Sequence, residues 1–304
     1  MNRNIDFIKN RKIYYIVSAV LFAITIAVTA IFGVEVNIEF KGGSIATYSY
    51  KDEIKISDVQ QFVKVTTGHD CTVRLSENNV TDQKNVVISI SEELSSEEQT
   101  KMTTALEKEY KENGLELVES SSVDAMNGKS FFVKCLIAAV VALALIIVYI
   151  AFRFRKIGGW TAGITAVIAL VHDLVIAYAV YAIFRIEIGG NFMAVMLTIL
   201  GYSVNDTIVI FDRIRENNTM YGKKLSIIDN VNMSLNQTLG RTINTTFMTL
   251  VALAVIVVVS LIFGITSMFD FVFPMSVGLV SGVYSSICLS PNIWASWKLR
   301  KKKR

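Results

Sequence analysis

Three charged side chains stand in apolar surroundings. Asp206 lies in TILGYSVNDTIVIFDRIREN (198–217), Asp173 follows His172 in LVHDLV, and Arg241 lies in NQTLGRTINTTF. A carboxylate at the centre of a membrane helix costs about 2.5–3.5 kcal/mol on insertion scales, so it normally faces a bundle interior and marks a proton or ion path. Ser203, Asp206, Ile210 and Arg213 share one helical face, and Tyr202, Asn205 and Thr207 add a local polar patch. Counting back from Asp212 at the cytoplasmic end puts Asp206 about 9 Å into the span. The chemistry open to such a group is reversible protonation, with fixed helix packing as the competing reading. His172 and Asp173 are adjacent, hence about 100° apart on a helix, so only one faces a given partner. For His172 both packing and proton transfer stay open. Arg241 by position alone is a basic flank of a membrane span; its reach toward Asp206 makes it a candidate partner.

These residues need helices to carry them. The chain has 304 residues, 52% of them hydrophobic, a mean hydropathy of +0.47 and two prolines, too apolar for an ordinary soluble domain. A span needs about 20 mostly apolar residues. Six runs qualify: 13–34, 131–152, 158–184, 192–211, about 243–265 and about 271–294. The first has a basic front, but its apolar run exceeds the ~7–15 residues of a signal-peptide core, so it reads as an uncleaved anchor.

Lysine and arginine next to the spans set orientation. Arg3, Lys9, Arg11 and Lys12 precede the first span. Arg153, Arg155 and Lys156 follow the second, and Arg213, Arg215, Lys223, Lys224 and Arg241 lie between the fourth and fifth. The chain ends KLRKKKR. With six spans all four segments fall on one side, so both termini are expected in the cytoplasm. The net charge of +4 reads as this topology signal. Contact of the basic tail with anionic membrane lipid is compatible with it, and no nucleic-acid partner is expected.

Little else in the composition points to chemistry. The cysteines are Cys71, Cys135 and Cys288 and the histidines His69 and His172, with no CxxC pair and no GxxxxGK[ST]. No metal site, cofactor or nucleophile–base constellation is expected, and the chain is read as not an enzyme.

Between the first two spans the pattern changes. SIATYSY (44–50) alternates like a strand. ISDVQQFVKV (56–65) places Val59, Phe62 and Val63 on one helical face, with Ser57 a candidate N-cap. CTVRL (71–75) and NVVISI (85–90) read as strands separated by turn formers Asn78, Asn79 and Asp82. Ser95 with Glu98 fits a capping box, Gly114 fits the helix stop, and LELVESSSV (115–123) reads as a last strand. The order β-α-β-β-α-β is the ferredoxin-like arrangement, which hosts many functions. The expected fold is therefore a polytopic six-helix membrane bundle with a small α+β ferredoxin-like domain outside the cytoplasm. The expected divisions are 1–34 (tail and first helix), 35–130 (outer domain), 131–297 (helices two to six) and 298–304 (basic tail).

Two small-residue motifs complete the reading. EFKGGS (39–44) pairs Gly42 with Gly43 just before the outer domain, which allows a tight turn. In SVGLVSGVYSS, Gly278 and Gly282 stand four apart among Ser281, Ser285 and Ser286, a spacing that lets helices approach closely.

Taken together, GYSVNDTIVIFDRIREN, LNQTLGRTINTT, ALVHDL and GLVSGVYSS resemble the SecF family, the smaller polytopic subunits of the bacterial SecD–SecF protein-export complex, related to the RND exporters. The resemblance covers almost the whole chain. EFKGG is similar to the family's Asp-Phe-x-Gly-Gly element, with Glu39 at the acidic position. The resemblance implies a heteromer with a SecD-like subunit that assists the SecY–SecE–SecG channel and the motor SecA. It implies use of the proton motive force to promote export of preproteins. It also implies that Asp206 and Arg241 are the membrane-embedded acid and base, joined by Asp173, while Gly42, Gly43, Asn205, Gly278 and Gly282 serve structure or interface. The alternatives are a separate RND-type exporter component and a passive assembly scaffold for membrane proteins.

Overall fold

The structure, a computed structural model, describes residues 5–78, 83–263 and 266–303. Helix α1 (Arg11–Phe32) is followed by one short turn of helix, α2 (Ile38–Lys41), which leads into an outer unit. That unit comprises β1 (Gly43–Tyr50), α3 (Ile56–Thr67), β2 (Cys71–Asn78), β3 (Gln83–Ile90), α4 (Ser96–Glu109) and β4 (Glu116–Val123). Then come α5 (Ala125–Arg153), α6 (Gly159–Phe184), α7 (Gly190–Tyr221) and α8 (Ile227–Phe263). The last span runs from α9 (Thr266–Tyr284) through a π-helical turn (Ser285–Leu289) into α10 (Ser290–Lys303). Six helices among the described residues are long and apolar enough to cross a membrane, and the chain is a multi-pass membrane protein.

The outer sheet has strand order β2-β3-β1-β4 with every neighbour antiparallel, the ferredoxin-like arrangement. Alternation sends Ala46, Tyr48, Val73, Val86 and Ile88 to one face, where they meet Val59 and Val63 of α3 and Met102 and Leu106 of α4. This buried cluster draws only on residues between Ala46 and Leu115. The capping box at Ser95 and Glu98 forms as the spacing predicts. Ser57 does not cap α3. The helix starts one residue before it, with Lys55 at the cap, and the Ser57 hydroxyl donates to Asp58 instead. Gly114 stands beyond the end of α4, closing the turn that follows it at φ +65°. The expected turn at Asn79 and Asp82 lies outside the described residues.

In the bundle, small residues replace the missing hydrophobic drive between helices. A Cβ on Gly159 would strike the backbone of Ala151, and one on Gly163 would lie 2.9 Å from the Ile147 carbonyl. So α5 seats directly on α6. Helix α6, α7 and the last span form the buried centre, while α1, α5 and α8 expose most of their apolar surface.

Helix α8 begins at Ile227, well before the apolar run expected from about 243. One face of its first four turns, with the polar Asn230, Ser234 and Thr238, is buried against α7. Asn217 donates to Ser234 Oγ at 2.9 Å and to Gln237 Oε1 at 2.8 Å, and Asn230 donates to the Ile214 carbonyl. Arg241 therefore sits inside a continuous helix rather than at its opening. The N-terminal segment docks on the same helix. Phe7 and Ile8 backbone N–H groups donate to Asn232 Oδ1, and both side chains are buried beside Val231 and Leu235.

Candidate functional site

Asp173, on α6, is fully buried. One carboxylate oxygen accepts from Ser203 of α7 at 2.7 Å and from Ser285 of the π turn at 2.6 Å. The other accepts from Ser281 of α9 at 2.7 Å. Two helices, α7 and the last span, thus deliver three hydroxyl donors to one carboxylate on a third. Ser281 and Ser285 are four apart and share a face. The following residue, Ser286, would swing away in a regular helix. The wide turn brings it inward too, where it pairs with Thr207 Oγ1 at 2.8 Å and donates to the Ser203 carbonyl. Gly282 makes the approach possible, since a Cβ there would lie 3.1 Å from Ser203 Cβ and 3.2 Å from its hydroxyl. A Cβ on Gly278 would run into Ile199 of α7. Both glycines thus serve contacts within this chain.

His172 lies beside this centre with Nδ1 3.3 Å from Asp173 Oδ1 and 3.3 Å from Ser281 Oγ. Its ring stacks on Phe22 of α1 at 5.4 Å and lies 5.7 Å from Tyr284, whose hydroxyl donates to the Tyr14 carbonyl. Nε2 is buried without a hydrogen-bond partner among the described residues.

Asp206, on α7, is also buried, yet Oδ2 has no hydrogen-bond partner among the described residues. An orphaned buried acceptor carries a desolvation penalty of about 1–3 kcal/mol, more for a charged group. It is relieved by taking a proton or by a donor from outside the chain. Arg241 acts on Asp206 through its charge, but the two form no ion pair among the described residues. The guanidinium-bearing residue is exposed on α8, and Asn205 is exposed on the outer side of α7. Gly201 on α7 and Gly240 on α8 are exposed, and among the described residues a Cβ on either would meet nothing within 4 Å. Thr242 and Thr246 of α8 are buried, and the Thr242 hydroxyl has no partner among the described residues.

The structure thus joins Asp173 to Ser281 and Ser285, which the sequence marks as small packing residues, and to Ser203, which the sequence places on a face with Asp206; Asp206 and Arg241 form no ion pair among the described residues. The serines' role had one signal, hydroxyls repeated at i and i+4 in an apolar helix. No group of three or more His, Cys, Asp or Glu that could hold a metal occurs among the described residues.

A third polar cluster sits at the outer mouth of the bundle. Glu35 pairs with Arg74 of β2 and with Arg185, the latter at 2.6 Å, and Arg74 also reaches Glu187 at 2.9 Å. Asn37 donates to Glu187 at 2.6 Å, and the backbone bridges Val36 to Ile188. Burial pushes Glu35 toward the neutral form, but Arg185 and Arg74 outweigh it and hold its carboxyl below the usual range. Gly42 and Gly43 turn the chain from α2 into β1 at φ +81° and +130°, and a Cβ on Gly43 would strike the Ile90 carbonyl. Between this cluster, the open face of the sheet and Asp270 lies a cavity of about 690 Å³.

Comparison with known proteins agrees with this architecture. The family model "Protein export membrane protein SecD/SecF, C-terminal" matches residues 99–300. A protein translocase subunit SecF from Alicyclobacillus acidocaldarius is 31% identical, the alignment covering 100% of this chain and 96% of that protein. A protein translocase subunit SecDF from Thermus thermophilus is 30% identical over 95% of this chain but only 38% of its own length. Among solved structures, SecDF from Thermus thermophilus, described as a translocon-associated membrane protein, superposes with a TM-score of 0.81 at 27% identity, covering 97% of this chain and 39% of that one. A SecDF structure in a super-membrane-facing form gives 0.66 with the same 39% coverage. The chain spans about two fifths of the SecDF chains and nearly all of the SecF chains.

Proposed function

The chain belongs to the SecD/SecF family of protein-export membrane proteins, and from that premise we propose that it is the SecF-type subunit of a protein translocase. It works with a SecD-type partner and uses the proton motive force to promote preprotein export across the bacterial inner membrane. Both termini lie in the cytoplasm, the SecY–SecE–SecG channel and SecA are the machinery assisted, and the chain itself catalyses no covalent chemistry. Relatives that carry SecD and SecF in one chain support the heteromer.

The observation that carries the reading is the Oδ2 of buried Asp206, without a hydrogen-bond partner among the described residues, on a helix pair whose Gly201 and Gly240 face open space. A partner packed against Gly201, Asn205, Gly240 and Arg241 would seal that face and complete the surroundings of Asp206. Ionised Asp206 attracts Arg241; protonated Asp206 does not, and the contact between α7 and α8 relaxes. Asp173 stays fixed by its three hydroxyls and holds α6, α7 and the last span in register while the α7–α8 side shifts. A charge crossing the full potential yields about 2.3 kcal/mol per 100 mV, enough to bias two arrangements of a bundle.

Asp206→Asn keeps size and polarity but cannot exchange a proton. Export into inverted vesicles, measured with and without an imposed gradient and normalised to assembled complex, is expected to lose its gradient-dependent part. Full stimulation in this variant would overturn the proton role and favour a passive scaffold. Arg241→Lys is expected to be milder than Arg241→Ala, since it keeps the charge but loses the planar fork.

A further inference from the structure

Helix α7 carries Asp206, and its first residue is Gly190. The Gly190 backbone N–H donates to a carboxylate oxygen of Glu39, on α2 of the linker between α1 and the outer sheet. The N-terminus of a helix carries about half a positive charge and unsatisfied N–H groups, so a carboxylate there is both bonded and attracted. The fit is close. A Cβ on Gly190 would lie 2.9 Å from Glu39 Oε2, and one on Gly189 would lie 3.0 Å from it and 3.0 Å from Asn37 Cβ.

The other end of the linker is equally tight. One turn of helix separates Asn37 from Gly42, and Gly42–Gly43 lead straight into β1, an inner strand of the sheet. A Cβ on Gly128 of α5 would lie 3.0 Å from Gly42 N and 3.1 Å from the Glu39 carbonyl, so α2 is also braced from behind. From Asp206 to the sheet the path is about 24 Å of one helix, one charge-assisted hydrogen bond and one helical turn.

We propose that Glu39 is a positioning residue for transport: its carboxylate locks the N-terminus of α7 to the linker, so that displacement of α7 is delivered to β1 and moves the outer domain. This rests on the proton-coupled reading of Asp206. The Arg74 and Glu35 cluster and the Val36–Ile188 bridge hold the outer domain to the α6–α7 turn, so losing Glu39 removes the direct bond to the α7 N-terminus without releasing the domain.

Two variants open the lock from opposite sides. Glu39→Ala removes the carboxylate. Gly190→Ala leaves Glu39 intact but pushes its flexible tip away, at a position where alanine suits the helix. Both are expected to assemble with the SecD-type subunit and to lower gradient-dependent export by about fivefold or more, the lower end of coupling between sites. Glu39→Gln keeps reach and an acceptor oxygen and is expected to restore most of it.

Spin labels at Thr104 in the outer domain and Leu261 at the outer end of α8, both exposed, report the motion in the lipid-reconstituted complex. Asp206→Asn is expected to shift their distance distribution in the otherwise wild-type protein and not in the Glu39→Ala or Gly190→Ala background. A shift of equal size in all backgrounds would overturn the coupling role of Glu39 alone. No shift in any background would remove the proton-coupled reading, and the coupling role with it.

Discussion

Asp173 and Asp206 are both buried carboxylates in the centre of one bundle, on neighbouring helices, and their surroundings are opposite. Asp173 accepts from three serine hydroxyls supplied by α7, α9 and the π turn, at 2.6–2.7 Å. Asp206 has an oxygen with no donor among the described residues, and forms no ion pair with Arg241 among them. The difference separates two uses of one side chain. A well-supplied carboxylate welds helices together, because both oxygens already have donors and any change loses a bond. A starved carboxylate is held in place by its helix and is free to change its proton or its partner.

The largest expected effect breaks the weld. Asp173→Ala leaves three buried hydroxyls without their acceptor and opens a cavity. Its cost is expected to be at least about 3 kcal/mol, seen as loss of assembled protein and a lower unfolding temperature in detergent. Asp173→Asn retains one acceptor oxygen and should fall between, at about 1–3 kcal/mol. Asp206→Asn should barely move either measure. Equal destabilisation by Asp173→Asn and Asp206→Asn would erase the distinction between the two sites.

A smaller effect sharpens the comparison through glycines. Gly282→Ala presses a methyl group on Ser203 beside Asp173 and should cost about 1–3 kcal/mol in the chain itself. Gly240→Ala meets nothing in this chain and gains helix propensity, so its stability alone should be unchanged or slightly raised. If the face beside Asp206 seats the SecD-type partner, the same variant weakens co-purification. Unchanged co-purification for both Gly240→Ala and Gly201→Ala would place the partner elsewhere.

The smallest effect lies at the outer mouth, where charges are partly in water. Glu35 is held below its ordinary range by Arg185 and Arg74 against the pull of burial. A carboxyl with a depressed folded value contributes stability that is present above its unfolded value, about 4.3, and is lost as pH falls through the folded value. Protection of the Asn37 and Ile188 amides, which close the backbone bridge there, should therefore fall in acid, measured relative to the intrinsic exchange rate at each pH. Glu35→Gln should abolish that acid-dependent part, for less than about 1 kcal/mol since both arginines are half exposed.

How far these sites could be read from the residue string depends on what holds them. The six spans were legible because apolar runs of span length are a property of the string itself. The strand and helix order of the outer domain was legible for the same reason, down to the Ser95–Glu98 box. The start of α8 was hidden. Asn230, Ser234 and Thr238 look like loop residues by hydropathy, and they are buried because α7 presents Asn217 and the Ile214 carbonyl to them. The carboxylates were visible as anomalies. The contrast between them was not, since the donors to Asp173 come from residues 30 to 112 positions away. Glu39 was noticed only as a departure from the family's aspartate; its contact with Gly190 spans 151 positions.

The π turn carries a consequence for aligning sequences. Five residues, 285–289, form a wider turn than an α-helix would, so the last span holds one residue more than its rise requires. That surplus is what lets Ser285 meet Asp173 and Ser286 meet Thr207 at once. A chain one residue shorter across this stretch would keep its hydropathy, its length class and its glycines. It would have to give up one of those two contacts, and every residue beyond, from Asn292 to Trp294, would meet its neighbours about a quarter-turn out of phase.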